Sequence, residues 1–125
     1  MYLKEKLVAG YVLTCLGDRG GFTYKKSRQE NSLADRAAAV VLRDKTPHQL
    51  IPFFPDGGSD ERQYCSPGFD LPVGSIMRTM YGKYPEYHTS LDNLDLVSPD
   101  GLQGSYDLMK DCIELIEKNE MYKIT

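Results

Sequence analysis

The sequence lacks most features that would place a chain in a membrane, outside the cell or on a nucleic acid. No apolar run approaches the roughly 20 residues that a membrane helix needs. The N-terminal stretch MYLKEKLVAGYVL has a charged start, but its apolar part is short and broken by Gly10 and Tyr11. It has no small-residue cleavage site and reads as a strand, not a signal peptide. Cysteine is scarce. Cys15, Cys65 and Cys112 are odd in number and have no CxxC spacing, which excludes a disulfide framework and a zinc knuckle. Such thiols suit a reducing compartment, so a cytoplasmic location is expected. Charge of one sign is also missing: 15 basic residues stand against 18 acidic ones, for a net −3. The basic cluster Lys25, Lys26 and Arg28 is short and reads as a solvated loop, so neither a nucleic acid nor a membrane is expected as partner. There is no GxSxG frame for a serine nucleophile and no GK[ST] for a phosphate loop.

What is present fits one soluble domain over residues 1–125. With 41% hydrophobic and 26% charged residues, the chain is long enough to bury a real core. Leu7 to Leu16 (LVAGYVLTCL) is apolar on both faces and predicts a central strand. It ends in the turn Gly17-Asp18-Arg19-Gly20-Gly21, and Phe22-Thr23-Tyr24 adds a short strand. Ser32-Leu33-Ala34-Asp35 is a capping-box variant opening a helix whose apolar positions run to Leu42, with Thr46-Pro47 as its stop. Its alanines would let it lie close to a sheet. Leu50 to Phe54 predicts a strand whose Pro52 implies an edge or a bulge. Ser59 to Cys65 predicts a short helix, and Pro72 to Met77 a third strand. Ser98-Pro99 is a strong helix start. From there Leu102, Tyr106, Met109, Ile113 and Ile116 mark one apolar face to about Asn119, widened by Leu108, Cys112 and Leu115. Strand, helix, strand, short helix, strand and long helix make an α/β pattern.

Ligands of open α/β sheets bind beyond the carboxyl ends of strands. Asp18 follows the first strand, Asp60 the second and His88 the third. Two carboxylates and an imidazole are donors that zinc accepts. Spacing alone leaves the alternatives open: an aspartate after a strand is commonly a turn former, and His88 could be a hydrogen-bonded structural ring. A cysteine nucleophile at Cys65 with His88 is a further, weaker option. His48 reads as a solvent-exposed ring at a helix end.

The stretches GSDERQYCSPGFDLPVGS and YPEYHTSLDNLD, with VLTCLGDRGGFTYKKSR before them, resemble the zinc aminopeptidase superfamily of bacterial leucyl aminopeptidases and glutaminyl cyclases. They are similar above all to its bacterial branch of aminopeptidase-like domains of unknown function, some linked to polysaccharide-biosynthesis loci. The resemblance covers nearly the whole chain and matches the C-terminal part of that superfamily. It implies a partial three-layer α/β/α fold of the phosphorylase/hydrolase type, with a mostly parallel or mixed sheet and a long C-terminal helix. By the same resemblance Asp18 and His88 are metal ligands and Asp60 is a supporting residue. Asp92 would orient an imidazole from outside the ligand shell. Arg62, Tyr64 and Arg78 are polar groups near the implied pocket, and the arginines could take a substrate carboxylate bidentately.

The resemblance also implies one or two zinc ions, and a peptide or aminoacyl small molecule as substrate of the full protein. It places the family's first histidine, bridging aspartate and paired glutamates upstream of the strand that ends at Asp18. Glu61 stands where the wider superfamily has histidine, and neither it nor Glu86 matches the general base. The 125-residue chain is therefore expected to be inactive alone and at most a weak metal binder. The alternative is a non-catalytic binding or assembly module that keeps the fold. A sheet edge left exposed in either case favours a homodimer over a monomer.

Overall fold

The computed structural model describes residues 7–45, 47–53, 71–79, 89–91 and 93–124, with side chains as far as residue 118. Its elements are β1 (Gly10–Leu13), β2 (Phe22–Lys25), α1 (Leu33–Leu42), β3 (His48–Ile51), β4 (Val73–Met77) and α2 (Pro99–Ile124). The strands form one mixed sheet in the order β1-β4-β2-β3. β1 runs parallel to β4 and β2 parallel to β3, while β2 and β4 are antiparallel. The α/β class, the mixed sheet and the long C-terminal helix are as the sequence predicts.

Every residue of β4 is buried, which suits a central strand of β-branched and small residues. Ile76 lies opposite Tyr24 of β2. These two pack with Ala38 and Leu42 of α1 and with Leu108 and Cys112 of α2, so both helices cover the same face of the sheet. Burying a large apolar side chain of this kind contributes about 1.5–3 kcal/mol, and this cluster is the main core. Tyr11 meets Tyr24 edge-on at 6.1 Å between ring centroids. Gly74, opposite Tyr11 in the sheet, lies directly beneath the Tyr24 hydroxyl, where any side chain would collide with the ring. A smaller cluster of Leu71 and Val73 with Leu7, Val12 and Phe53 forms apart from it.

Helix α1 starts as its sequence demands. The Ser32 side chain accepts from the Asp35 amide while Asp35 accepts from the Ser32 amide, closing the capping box. Ala34, Ala37 and Ala38 are buried, and their small size lets the helix sit close to its neighbours. The helix stops at Leu42, before the predicted Thr46-Pro47 stop, with Arg43 as C-cap.

Three expectations are corrected. The first strand is shorter than predicted and lies at the edge of the described sheet, not at its centre. Its apolar residues on both faces meet two clusters, which is why it reads as central. The Leu50–Phe54 strand is shifted to His48–Ile51, so Pro52 falls just after it, at the other edge. Finally, the apolar face of the last helix is rotated. The buried stripe of α2 is Gly101, Ser105, Leu108 and Cys112, whereas Leu102, Tyr106 and Ile113 remain 49%, 54% and 45% exposed. Small residues win the inner face because the first turn of α2 touches backbone. A Cβ on Gly101 would strike the carbonyls of Gly17 and Asp18. The helix also runs past Asn119 to Ile124. The predicted helix at Ser59–Cys65 lies outside the described residues.

Candidate functional site

Beyond the carboxyl end of β1 the chain bends at Cys15, whose φ of 53° is in the left-handed region that few side chains enter. The bend is tied down on two sides. The Arg78 amide donates to the Cys15 carbonyl at 2.9 Å, and the Ser98 amide donates to the Gly17 carbonyl at 2.8 Å. Ser98 then caps α2, its hydroxyl oxygen accepting from the Gly101 amide at 2.9 Å. The ends of β1 and β4 and the start of α2 thus converge, and Asp18 emerges between them.

The Asp18 carboxylate is partly buried. Its Oδ1 accepts one long bond, 3.4 Å, from the Thr79 amide just past β4. Its Oδ2 borders Gly20, where a Cβ would come within 3.1 Å of it and would also collide with the Thr79 hydroxyl. With this one long bond among the described residues, the carboxylate keeps acceptor capacity that a ligand could use.

Arg78 is placed beside it but serves the fold. Its Nε donates to the Gly101 carbonyl at 3.0 Å and to the Ser105 hydroxyl at 3.2 Å. Its Nη1 donates to the Gly20 carbonyl at 2.7 Å, and the guanidinium lies 4.3 Å from the centre of the Phe22 ring. The fork read as a carboxylate clamp therefore braces the Asp18 loop against the first turns of α2. Ser105 completes the brace by donating to the Leu16 carbonyl at 2.8 Å.

The strand-end argument survives for β1 and β4 only. Because β3 is parallel to β2, and β2 antiparallel to β4, the carboxyl end of β3 points to the opposite rim of the sheet. Three strand ends therefore do not meet at one rim. His48 begins β3 on the Asp18 side, exposed, with its Nδ1 2.5 Å from the Lys45 carbonyl. Asp60, Arg62, Tyr64, His88 and Asp92 lie outside the described residues, as do Cys65, Glu61 and Glu86. Among the described residues no group of three His, Cys, Asp or Glu side chains is close enough to hold a metal ion. Asp18 is a single oxygen donor, and a catalytic zinc takes three protein ligands, so the described donor set does not by itself fit that ion. No helix among the described residues is long and apolar enough to cross a membrane.

Sequence reading missed Thr79, Gly101 and Ser105 as the supports of Asp18. The signal was the presence of Gly101, Gly104 and Ser105 in the first turns of a helix. Such residues weaken a helix and make sense only where another backbone comes close. It also missed a second carboxylate, Asp35, beyond its capping role. Asp35 is 5% exposed. It accepts from the Tyr24 hydroxyl at 2.7 Å, the Ser27 amide at 2.9 Å, the Ser27 hydroxyl at 2.6 Å and the Ser32 amide at 3.1 Å. Burial and the Asp35 charge push the Tyr24 phenol well above its usual range. That phenol is a donor locked in place.

The chain is similar to a Clostridium acetobutylicum protein named "Putative polysaccharide biosynthesis protein with aminopeptidase-like domain", with 44% identity over 119 residues, 94% of this chain and 27% of the relative. It also superposes on a crystal structure described as a "putative peptidase" from Clostridium acetobutylicum, with a TM-score of 0.87 and 41% identity, covering 91% of this chain and 27% of that one. The chain thus spans about a quarter of the length of the proteins it matches. One family, described as "Domain of unknown function (DUF4910)", matches residues 2–119, and to that family this chain belongs.

Proposed function

We propose that the chain carries one wall of a zinc aminopeptidase site, with Asp18 and His88 as metal ligands and Asp60 and Asp92 as supporting groups. The observation that carries this reading is the Asp18 carboxylate itself. It stands at the joined ends of β1 and β4, held by a glycine-lined loop and, among the described residues, accepting one long hydrogen bond. The likeness to an aminopeptidase-like relative over nearly the whole chain supports it. When bound, zinc would polarise the scissile carbonyl of an N-terminal peptide or aminoacyl amide and activate water. This chain's own part is to hold Asp18 in place through Thr79 and to keep its loop rigid through Arg78. The resemblance puts the remaining ligands and the general base upstream, so the 125-residue chain is inactive alone.

The test is zinc content by elemental analysis, together with hydrolysis of aminoacyl p-nitroanilides. Two proteins are compared: the chain alone, and the longer Clostridium relative with this chain in place of its matching quarter. The chain alone should show no zinc-dependent hydrolysis. The chimera should hold zinc and lose it in Asp18→Asn and His88→Ala. Zinc content unchanged by both substitutions would sink the ligand assignment. Hydrolysis by the isolated chain that depends on zinc and His88 would sink the inactivity.

A second reading is a non-catalytic module that keeps the fold. The engagement of Arg78 within the fold favours it, since a substrate clamp would leave that fork open. A chimera that folds, binds no zinc and hydrolyses nothing is the outcome this reading expects.

A further inference from the structure

The loop that carries Asp18 is held through its backbone. The Cys15 carbonyl accepts from the Arg78 amide, and the Leu16 carbonyl from the Ser105 hydroxyl. The Gly17 carbonyl accepts from the Ser98 amide, and the Gly20 carbonyl from Arg78 Nη1. The Asp18 carbonyl itself lies against Gly101, where a Cβ would strike it. All four donors belong to Arg78, just past β4, or to Ser98 and Ser105 at the start of α2.

Ser105 joins these two sources. It is 2% exposed, and its hydroxyl works in both directions. It accepts from Arg78 Nε at 3.2 Å and donates to the Leu16 carbonyl at 2.8 Å. A hydroxyl has a single proton, so donation to Leu16 leaves its lone pairs for the guanidinium. Leu16 lies between the left-handed bend at Cys15 and the Asp18 carboxylate. Such a bend persists only where its surroundings over-determine it, and Ser105 grips the chain as it leaves that bend.

The helix gives up propensity here. Gly101, Gly104 and Ser105 stand within its first two turns, and each is a poorer helix former than alanine. Alanine at 101 would strike the loop backbone, and alanine at 104 the Arg78 guanidinium. At 105 alanine would fit, being serine without its oxygen. Lack of space therefore accounts for the two glycines but not for the serine, whose hydroxyl is the group the loop uses.

We infer that Ser105 is a positioning residue for Asp18: from the second turn of α2 it fixes the Leu16 carbonyl and thereby sets where the carboxylate stands. Its effect on zinc rests on the function proposed above, whereas its hold on the carboxylate does not. In the 125-residue chain, amide hydrogen exchange and amide resonances are compared for the wild type, Ser105→Ala and Val73→Ala. The last trims the separate cluster at the other end of β4. Ser105→Ala should speed exchange of the Arg78 and Ser98 amides about tenfold, while the α1 amides keep their protection. It should also shift the resonance of the Thr79 amide, which donates to Asp18 Oδ1. Val73→Ala should do neither. In the chimera described above, Ser105→Ala should weaken zinc binding about tenfold, and Val73→Ala should leave it unchanged. Unchanged Arg78, Ser98 and Thr79 amides in Ser105→Ala overturn the inference, as do equal changes in Val73→Ala or full zinc affinity in a zinc-holding chimera with Ser105→Ala. A Ser105→Ala chain that fails to fold overturns it too, making Ser105 a core joint. A chimera without zinc, beside the expected exchange result, counts against the ligand assignment and supports the hold on the carboxylate.

Discussion

Two aspartates within one small fold have opposite environments. Asp35 is almost fully enclosed and takes four hydrogen bonds, from Tyr24, twice from Ser27, and from Ser32. Asp18 is partly exposed and, among the described residues, takes one, at the long end of the range, from Thr79. The first has no acceptor capacity left for anything outside the fold, and it joins β2, the following turn and α1 at one point. The second is held mostly through its neighbours in the loop, and among the described residues its oxygens keep acceptor capacity. A buried, fully satisfied carboxylate is a structural joint, and a supported but under-coordinated one is a candidate ligand.

The largest effect that would break this contrast is expected at Asp35. Asp35→Ala strands two hydroxyls and two amides in the core, so a loss of about 4 kcal/mol is expected from urea unfolding. A change under about 1 kcal/mol would show that the joint is not structural. Next comes Arg78→Met, which keeps the stem but removes bonds to Gly20, Gly101 and Ser105. Bonds from a charged donor to buried acceptors support an expected loss of about 2–3 kcal/mol by the same measurement. If stability hardly moved, Arg78 would be free for a ligand after all.

A smaller effect concerns pH. Burial pushes the Cys112 thiol up from 9.0 to about 11. In the unfolded chain the thiol loses its proton first, so between these values the folded state holds more protons. Its contribution is whole below pH 9.0 and lost as pH rises through about 11. The raised Tyr11 and Tyr24 phenols act in the same direction. Thermal unfolding should shift down across that window in the wild type, and less so in Cys112→Ala. An equal shift in both would remove the thiol as a cause. The smallest stability effect is expected for Asp18→Asn, within about 0.5 kcal/mol, as is usual for a site that makes no strong internal contact. A loss as large as that of Asp35→Ala would make Asp18 a second joint and erase the comparison.

Local signals were readable wherever a short segment decides its own structure. Ser32 with Asp35 closes the predicted capping box, and Ser98-Pro99 starts α2 where expected. Non-local choices were not readable. The apolar positions of α2 define one helical stripe in sequence, yet the fold buries the adjacent stripe of Gly101, Ser105, Leu108 and Cys112. Backbone approach at Gly17 and Asp18 outweighs side-chain hydrophobicity at the start of that helix. Arg78 illustrates the same limit at the site. Its charge suggested a substrate clamp, but three partners far apart in the sequence engage it.

The amino-acid sequence by itself determined the α/β class, the two helix starts and the placing of Asp18 just after the first strand. These follow from periodicity, capping chemistry and turn residues, which act over a few neighbours. Only the tertiary structure decided which strands share a rim, because strand direction depends on pairing between distant segments. It sent the end of β3 to the far rim, put β1 at one edge of the described sheet, and brought Thr79, Gly20 and the first turn of α2 around the Asp18 carboxylate.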